Sequence, residues 1–331
     1  MDRTIFAYGS GRSGTTLLAK LIDSSRSVIY RHEPDKTSPN NDIPFLPESE
    51  QYLEFADASR RYLRHLCRER SAFVNGKKPL FEKDFRSTAG TMLLRLLIPA
   101  IAVAEKAGIK LPIPDLAMND NYLTLIKSVN SLGRVPMFAQ AVPEMKFIHI
   151  VRHPGAIIVS QLRGIEQNKM GQELFINSVS KMSNNRFFPI DIEAISNASF
   201  EEKSAYIWMI QNDKSYRELS GSANYMLVSY EDLCVNMRDR VEALCEFMDI
   251  PFDRQMQKFI EMLSRTDSES GYFSVMKNPL ANIDKWEKSL DSHTTDKILK
   301  IIGHSEIGRF VIENYQSSKQ SVAEKLGRKS V

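Results

Sequence analysis

Near the N-terminus stands Gly9-Ser10-Gly11-Arg12-Ser13-Gly14-Thr15-Thr16, set between an apolar run and the helix-like stretch LLAKLID. A strand, a glycine-rich turn and a helix N-terminus in that order form an anion site. Backbone N–H groups converge on the turn and the helix dipole favours negative charge there. The glycines permit positive φ and close approach, and Thr15 and Thr16 add hydroxyl donors. A nucleotide-hydrolysing P-loop carries lysine where Thr15 stands, reaching the β/γ-phosphates beside a hydroxyl that ligates Mg²⁺. Here the cation is Arg12, inside the loop, where a guanidinium can fork onto two anion oxygens without a metal. A bare GxG is more often an ordinary βα turn, but the full GSGRSGTT in this setting is far more specific.

Three other stretches carry chemistry. FIHIVRHPGAIIVSQLRG (147–164) is a strand-like run ending in Arg152, not in a magnesium-binding aspartate, with Ser160 in the helix-like stretch that follows. VIYRHEPD (28–35) places His32 and Glu33 just past a second strand, where Glu33 is expected beside the phosphate loop in a doubly wound sheet, and LTLIKSVN places Lys127 after a third. A carboxylate at the carboxyl edge of a doubly wound sheet lies where such folds bind ligands and is a candidate proton acceptor. Pro34 is expected to hold Glu33 extended. Each residue also has a plain structural reading: Arg152 and Lys127 as solvated strand-end charges, Glu33 as an ion-pair partner of Arg31.

The loop and the Arg152 segment together resemble the sulfotransferases that use 3′-phosphoadenosine 5′-phosphosulfate (PAPS), in particular the carbohydrate, tyrosylprotein and bacterial branch. GRSGTT (11–16) matches one form of that family's 5′-phosphosulfate loop, and Arg152 with Ser160 matches its 3′-phosphate motif. LVSYEDL (227–233), DKWEKSL (284–290) and IGRFVIENY (307–315) resemble later family segments. The resemblance implies sulfuryl transfer from PAPS to a hydroxyl or amine of a saccharide, glycolipid or small metabolite, with 3′,5′-bisphosphoadenosine (PAP) as product and no metal. Residues Ser10, Gly11, Arg12, Ser13, Gly14, Thr15, Thr16, Arg152 and Ser160 would hold the cofactor. Glu33 would be the base, with His32 as runner-up, and Arg12 and Lys127 would act on the departing phosphate. Ser274 and Lys277 would close over the cofactor, and Lys83 is a further site lysine. The C-terminal GxxGxxK motif of the phenol and steroid enzymes is missing, which disfavours such acceptors. The two rival readings are a P-loop kinase with a degenerate loop and a non-catalytic PAP-binding sensor or scaffold.

The elements that must position these residues follow from apolar patterning. Strands are expected over 4–8, 28–30, 123–126, 147–151 and 225–228, and helices over 14–24, 50–68, 87–106, 155–163, 201–219, 238–248 and 253–263. Their alternation predicts an α/β fold: a single P-loop-type domain, 1–315, with a central mainly parallel sheet flanked by helices on both faces, and a frayed polar tail, 316–331. The polar stretch 165–200 reads as a substrate-facing insertion. With 44 Lys+Arg against 41 Asp+Glu the chain is nearly neutral, which argues against a general nucleic-acid binder. Three cysteines form no disulfide or zinc pattern and fit a reducing, cytoplasmic setting. The apolar run 96–104 is too short for a transmembrane segment and is expected to be a buried or interfacial helix. The first strand starts too near Met1 for a signal peptide, and the Golgi-type anchor of animal relatives is missing, which fits a soluble bacterial enzyme.

Overall fold

A computed structural model describes residues 1, 3–109, 111–169, 192–265, 280 and 283–325. Five strands, β1 (Thr4–Tyr8), β2 (Val28–His32), β3 (Leu123–Ser128), β4 (Lys146–Val151) and β5 (Tyr225–Ser229), form one sheet in the order β2-β3-β1-β4-β5. Every pairing is parallel. β1, at the centre, is buried at each position, which is why TIFAY shows no polar alternation. Its side chains still divide between faces: Ile5 and Ala7 join Leu18 and Leu21 on one side, Phe6 and Tyr8 join Leu63 and Phe138 on the other. A fully buried leucine such as Leu18 contributes about 1.5–3 kcal/mol.

Four of the strands lie where apolar patterning puts them but reach further than it indicates. β2, β3 and β5 each run on at the carboxyl end, taking Arg31, His32, Lys127 and Ser229 into the ladder. His32 pairs in register with Lys127. Charged residues look like the end of a strand in sequence, yet here they continue the ladder at the carboxyl edge of the sheet. The order also corrects one expectation. β2 is an edge strand, and β3 separates it from β1 by roughly 10 Å of sheet. Glu33 therefore does not neighbour the phosphate loop directly.

Helices cover both faces. Thr15–Asp23, Met237–Met248 and Arg254–Arg265 pack on one, Ala56–Arg68 and Val135–Ala141 on the other. Pro154–Glu166, Phe200–Leu219, Ser292–Gly303 and Glu306–Lys325 share a third cluster around Val151 and Trp208. The expected frayed tail is instead helical through Lys325: Val322 is buried and the Lys325 ammonium donates to the Val235 carbonyl at 2.6 Å. Its polar residues are the wet side of an amphipathic helix. Of the expected insertion, 170–191 lies outside the described residues, while Ile192–Asn197 is helical. The apolar run belongs to a 19-residue helix, Thr88–Lys106, long and apolar enough by composition to cross a membrane. Leu94, Ile98 and Ile101 are buried in the protein, whereas Met92, Leu93, Leu96 and Val103 are exposed.

Candidate active site

The phosphate loop is shaped by two glycines that nothing larger could replace. A Cβ on Gly9 would fall 2.2 Å from the Ile150 carbonyl oxygen of β4. Gly14 has φ +92°, and a Cβ there would fall 2.2 Å from the ring of Tyr230. A Cβ on Gly11 would meet only open space. The Thr15–Asp23 helix starts immediately after Gly14 with no side-chain cap, so its first-turn N–H groups face the loop. Ser13 is wholly buried and its Oγ has no partner among the described residues. Ser10 Oγ is held from below at 2.9 Å by the Asn212 amide, whose oxygen lies 2.9 Å from His149 Nε2. Backbone donors, an unused hydroxyl and a bare glycine suit a cradle for an oxyanion.

Arg12 takes φ 72°, a left-handed conformation that costs a non-glycine residue about 1–3 kcal/mol. From it the guanidinium reaches across to the Pro154–Glu166 helix, where Nε donates to Ser160 Oγ at 2.9 Å. Arg152, just past β4, donates from its guanidinium to the Arg12 carbonyl at 3.2 Å and lies 4.2 Å from the centroid of the Tyr230 ring. Glu231 is buried beside it and accepts the His153 N–H at 3.0 Å. Burial raises the Glu231 pKa, against the pull of Arg152. His153 stacks on Trp286 at 4.3 Å and near Tyr315 at 4.7 Å, and a Cβ on Gly155 would strike Trp286 at 2.5 Å. The three C-terminal family-like segments thus meet beneath one turn, the one that presents Arg152.

A second constellation stands at the ends of β2 and β3. The Lys127 ammonium pairs with the Glu33 carboxylate; their side chains are 2% and 14% exposed. The Glu33 N–H donates to the Lys127 carbonyl at 2.8 Å. Glu33 is not extended, contrary to expectation. It has φ 45° and ψ 53° and caps the short helix Pro34–Thr37. Pro34 does bar the right-handed helical region, but helix entry here takes the left-handed alternative and turns the carboxylate toward Lys127. Burial alone would raise the Glu33 pKa; the charge and hydrogen bond of Lys127 outweigh it and hold the carboxyl below its usual value. Burial lowers Lys127, opposed by Glu33. His32 is buried, lies 2.7 Å from the Tyr30 hydroxyl through Nδ1, and is pushed down to about 3 by burial and Lys127. The histidine is therefore neutral at physiological pH. Asp35, buried behind the pair, accepts from the Ser128 and Ser131 hydroxyls and ties the end of β2 to the loop after β3.

A model of the sulfotransferase family matches residues 4–254. The chain belongs to the sulfotransferase family. It is 24% identical to rat carbohydrate sulfotransferase 1 over 312 aligned residues, 85% of this chain and 72% of the relative, and the human protein matches to the same extent. Among solved structures, it is similar to a mouse sulfotransferase complexed with PAP, with TM-score 0.47 and 12% identity over 95% of this chain and 89% of that one. It is also similar to the sulfotransferase domain from the curacin biosynthetic pathway, with TM-score 0.41 and 16% identity over 90% and 96%.

In a PAPS-dependent sulfotransferase the two anionic ends of the cofactor need separate cradles, and the residues present fit that need. The loop at 9–16 offers N–H groups and an open face at Gly11; Arg12, Arg152 and Ser160 gather beside it. Arg12 differs from the sequence reading in one respect: its Nε is directed at Ser160, so it bridges the two motifs. Lys83 belongs to a different place. It is buried and bonded to Asp23 Oδ1 and the Ser25 carbonyl, both at 2.9 Å, at the far end of the Thr15–Asp23 helix, about 12 Å along its axis from the loop. Lys20 pairs with the same carboxylate. Ser274 and Lys277 lie outside the described residues. Sequence reasoning missed Asn212 and Asp35. Asn212, wholly buried in the middle of the Phe200–Leu219 helix, gives a signal only as a polar residue on a core-facing position.

Proposed function

We propose that this enzyme moves the sulfuryl group of PAPS to a hydroxyl of a saccharide, glycolipid or small metabolite, with Glu33 as the proton acceptor. The S–O bond to the acceptor forms as the S–O bond to the phosphate breaks. The electron pair stays on the phosphate oxygen and the acceptor's proton goes to Glu33. Lys127 is the counter-charge for that phosphate oxygen, and when it turns from Glu33 to the phosphate, the carboxylate gains basicity. His32, neutral and engaged with Tyr30, keeps the runner-up role. The similarity to carbohydrate sulfotransferase 1 of rat and human supports a saccharide acceptor.

One observation carries the cofactor assignment: Arg12 and Arg152, from motifs 140 residues apart, meet at the loop with Ser160. PAP should raise Tm in EDTA, since a ligand at a hundredfold excess over Kd adds about 2.7 kcal/mol to stability. AMP, lacking the 3′-phosphate, should raise it much less. Equal shifts, or a strict Mg²⁺ requirement, would overturn the assignment.

A further inference from the structure

Between edge strand β2 and the Thr88–Lys106 helix lies a cleft to which the transfer chemistry assigns no task. Arg31, Arg70, Lys77, Lys83 and Arg86 line it, against only Asp23 and Asp115. Lys83 is paired with Asp23, and Arg70 with Asp115. Arg31 donates to neutral partners, the Cys67 carbonyl at 3.0 Å and the Asn75 side chain. Among the described residues no carboxylate is ion-paired with Arg31, Lys77 or Arg86. The cleft is therefore left with a surplus of positive charge.

Two polar groups in its wall are also unanswered. Thr91 is 1% exposed, and its Oγ1 has no hydrogen-bond partner among the described residues. Arg86 Nε is buried and likewise unpartnered. Buried donors without acceptors are uncommon, because burial removes the water that would satisfy them. A hydroxyl donor, a guanidinium and two further cations facing one space are complementary to an oxyanion. Burial lowers the pKa of both Arg86 and Lys77, the response of cations held away from water.

One end of the cleft, lined by Tyr30 and Arg31, lies beside the reaction centre, and its other end reaches Asp23 and Lys83. Tyr30 and Arg31 precede Glu33 on the same stretch of chain. At about 3.3 Å per strand residue, the Arg31 and Glu33 backbones are roughly 7 Å apart. We propose that the cleft is an acceptor subsite that recognises an anionic group, a carboxylate, sulfate or phosphate, on the molecule whose hydroxyl is presented to Glu33. The acceptor is then itself an acidic compound, such as a uronic acid or an already sulfated or phosphorylated sugar. This rests on the sulfotransferase reading above.

The test uses the whole chain saturated with PAP, titrated by calorimetry with glucuronate, glucose 6-phosphate, inorganic sulfate and neutral glucose. The three anions should each bind at one site and glucose should not, and the ranking of carboxylate against tetrahedral anion identifies the group preferred. Arg86→Gln should weaken anion binding by about tenfold to a hundredfold, the loss of one charge-assisted contact. Thr91→Val, which keeps shape, should weaken it less, and Arg86→Lys should restore part of it. Anion binding that survives Arg86→Gln intact, or glucose binding as well as glucuronate, overturns the proposal. PAP affinity is measured separately, so a failure of the sulfotransferase reading appears there and not in the anion titration.

Discussion

Replacing Glu33 by glutamine keeps the size of the side chain and removes its charge. Lys127, 2% exposed, is then left as a buried ammonium facing a neutral amide. Removing one partner of a buried ion pair costs about 3–5 kcal/mol. Because Glu33 retains some contact with solvent, the lower end, about 3 kcal/mol, is expected. At roughly 2–3 °C per kcal/mol for a chain of this size, Tm should fall by about 6–9 °C. The pH dependence has a definite sign. In the wild type the depressed Glu33 pKa contributes stability above the unfolded carboxylate value near 4.3, and this is lost as pH falls through the folded value. In the variant, Lys127 loses the carboxylate that opposed its burial, so its folded pKa drops further below the unfolded value of about 10.4. Between those two values the unfolded chain binds more protons, and the variant gains stability as pH rises. The Tm gap should therefore be wide at pH 7, hold down to about pH 4.3 and narrow below it, and narrow again toward about pH 10. Calorimetry across that range reads the gap, and transfer of labelled sulfate to saccharide and small-hydroxyl acceptors reads the chemistry. Turnover should fall by about a hundredfold to ten-thousandfold, the range for loss of a general base, while PAP affinity stays. Adding Lys127→Met should recover stability without activity. A Glu33→Gln variant with wild-type Tm and full turnover refutes the reasoning, and a parallel loss of PAP affinity would make Glu33 a prop for the loop.

Arg152→Ala should weaken PAP by about tenfold to a hundredfold and leave AMP nearly unchanged, as measured by calorimetric titration; equal losses would make Arg152 structural. Gly14→Ala adds a left-handed alanine, about 1–2 kcal/mol, and drives Tyr230 from its place under Arg152. Both Tm and PAP affinity should drop, and a variant that loses neither contradicts the described loop. Lys83→Met leaves Asp23 with Lys20 alone, so thermal stability should fall while the Kd for PAP in the same samples holds.

The loop, its strand and its helix were legible because their signals are local. Glycine spacing, an apolar run and a helical period all lie within about twenty residues. The parallel sheet was legible from its buried strands, but their order was not, because nothing within VIYRH or LTLIK says which neighbour it takes. That is why Glu33 was placed beside the loop when β3, carrying Lys127, stands between them. The left-handed Glu33 and the bond from Arg12 to Ser160 depend on how distant segments meet. Asn212 and Asp35 are each a single buried polar group whose partners come from other strands and loops.

The central position of β1 has a consequence for how the chain is made. Thr4 pairs with Thr124 on one side and Ile5 with Lys146 on the other. Once made, β1 thus waits for about 120 more residues before it gains any sheet partner, roughly 6–24 s at common translation rates. During that time TIFAY and the apolar side of the Thr15–Asp23 helix have no finished sheet to cover them, and non-local parallel pairing is slow to form even when its partner arrives. Shortened chains that stop before β4 leave the middle of the sheet as a bare edge, the kind of surface that pairs with other chains. The phosphate-loop segment is thus synthesised well before the strands that secure it on either side.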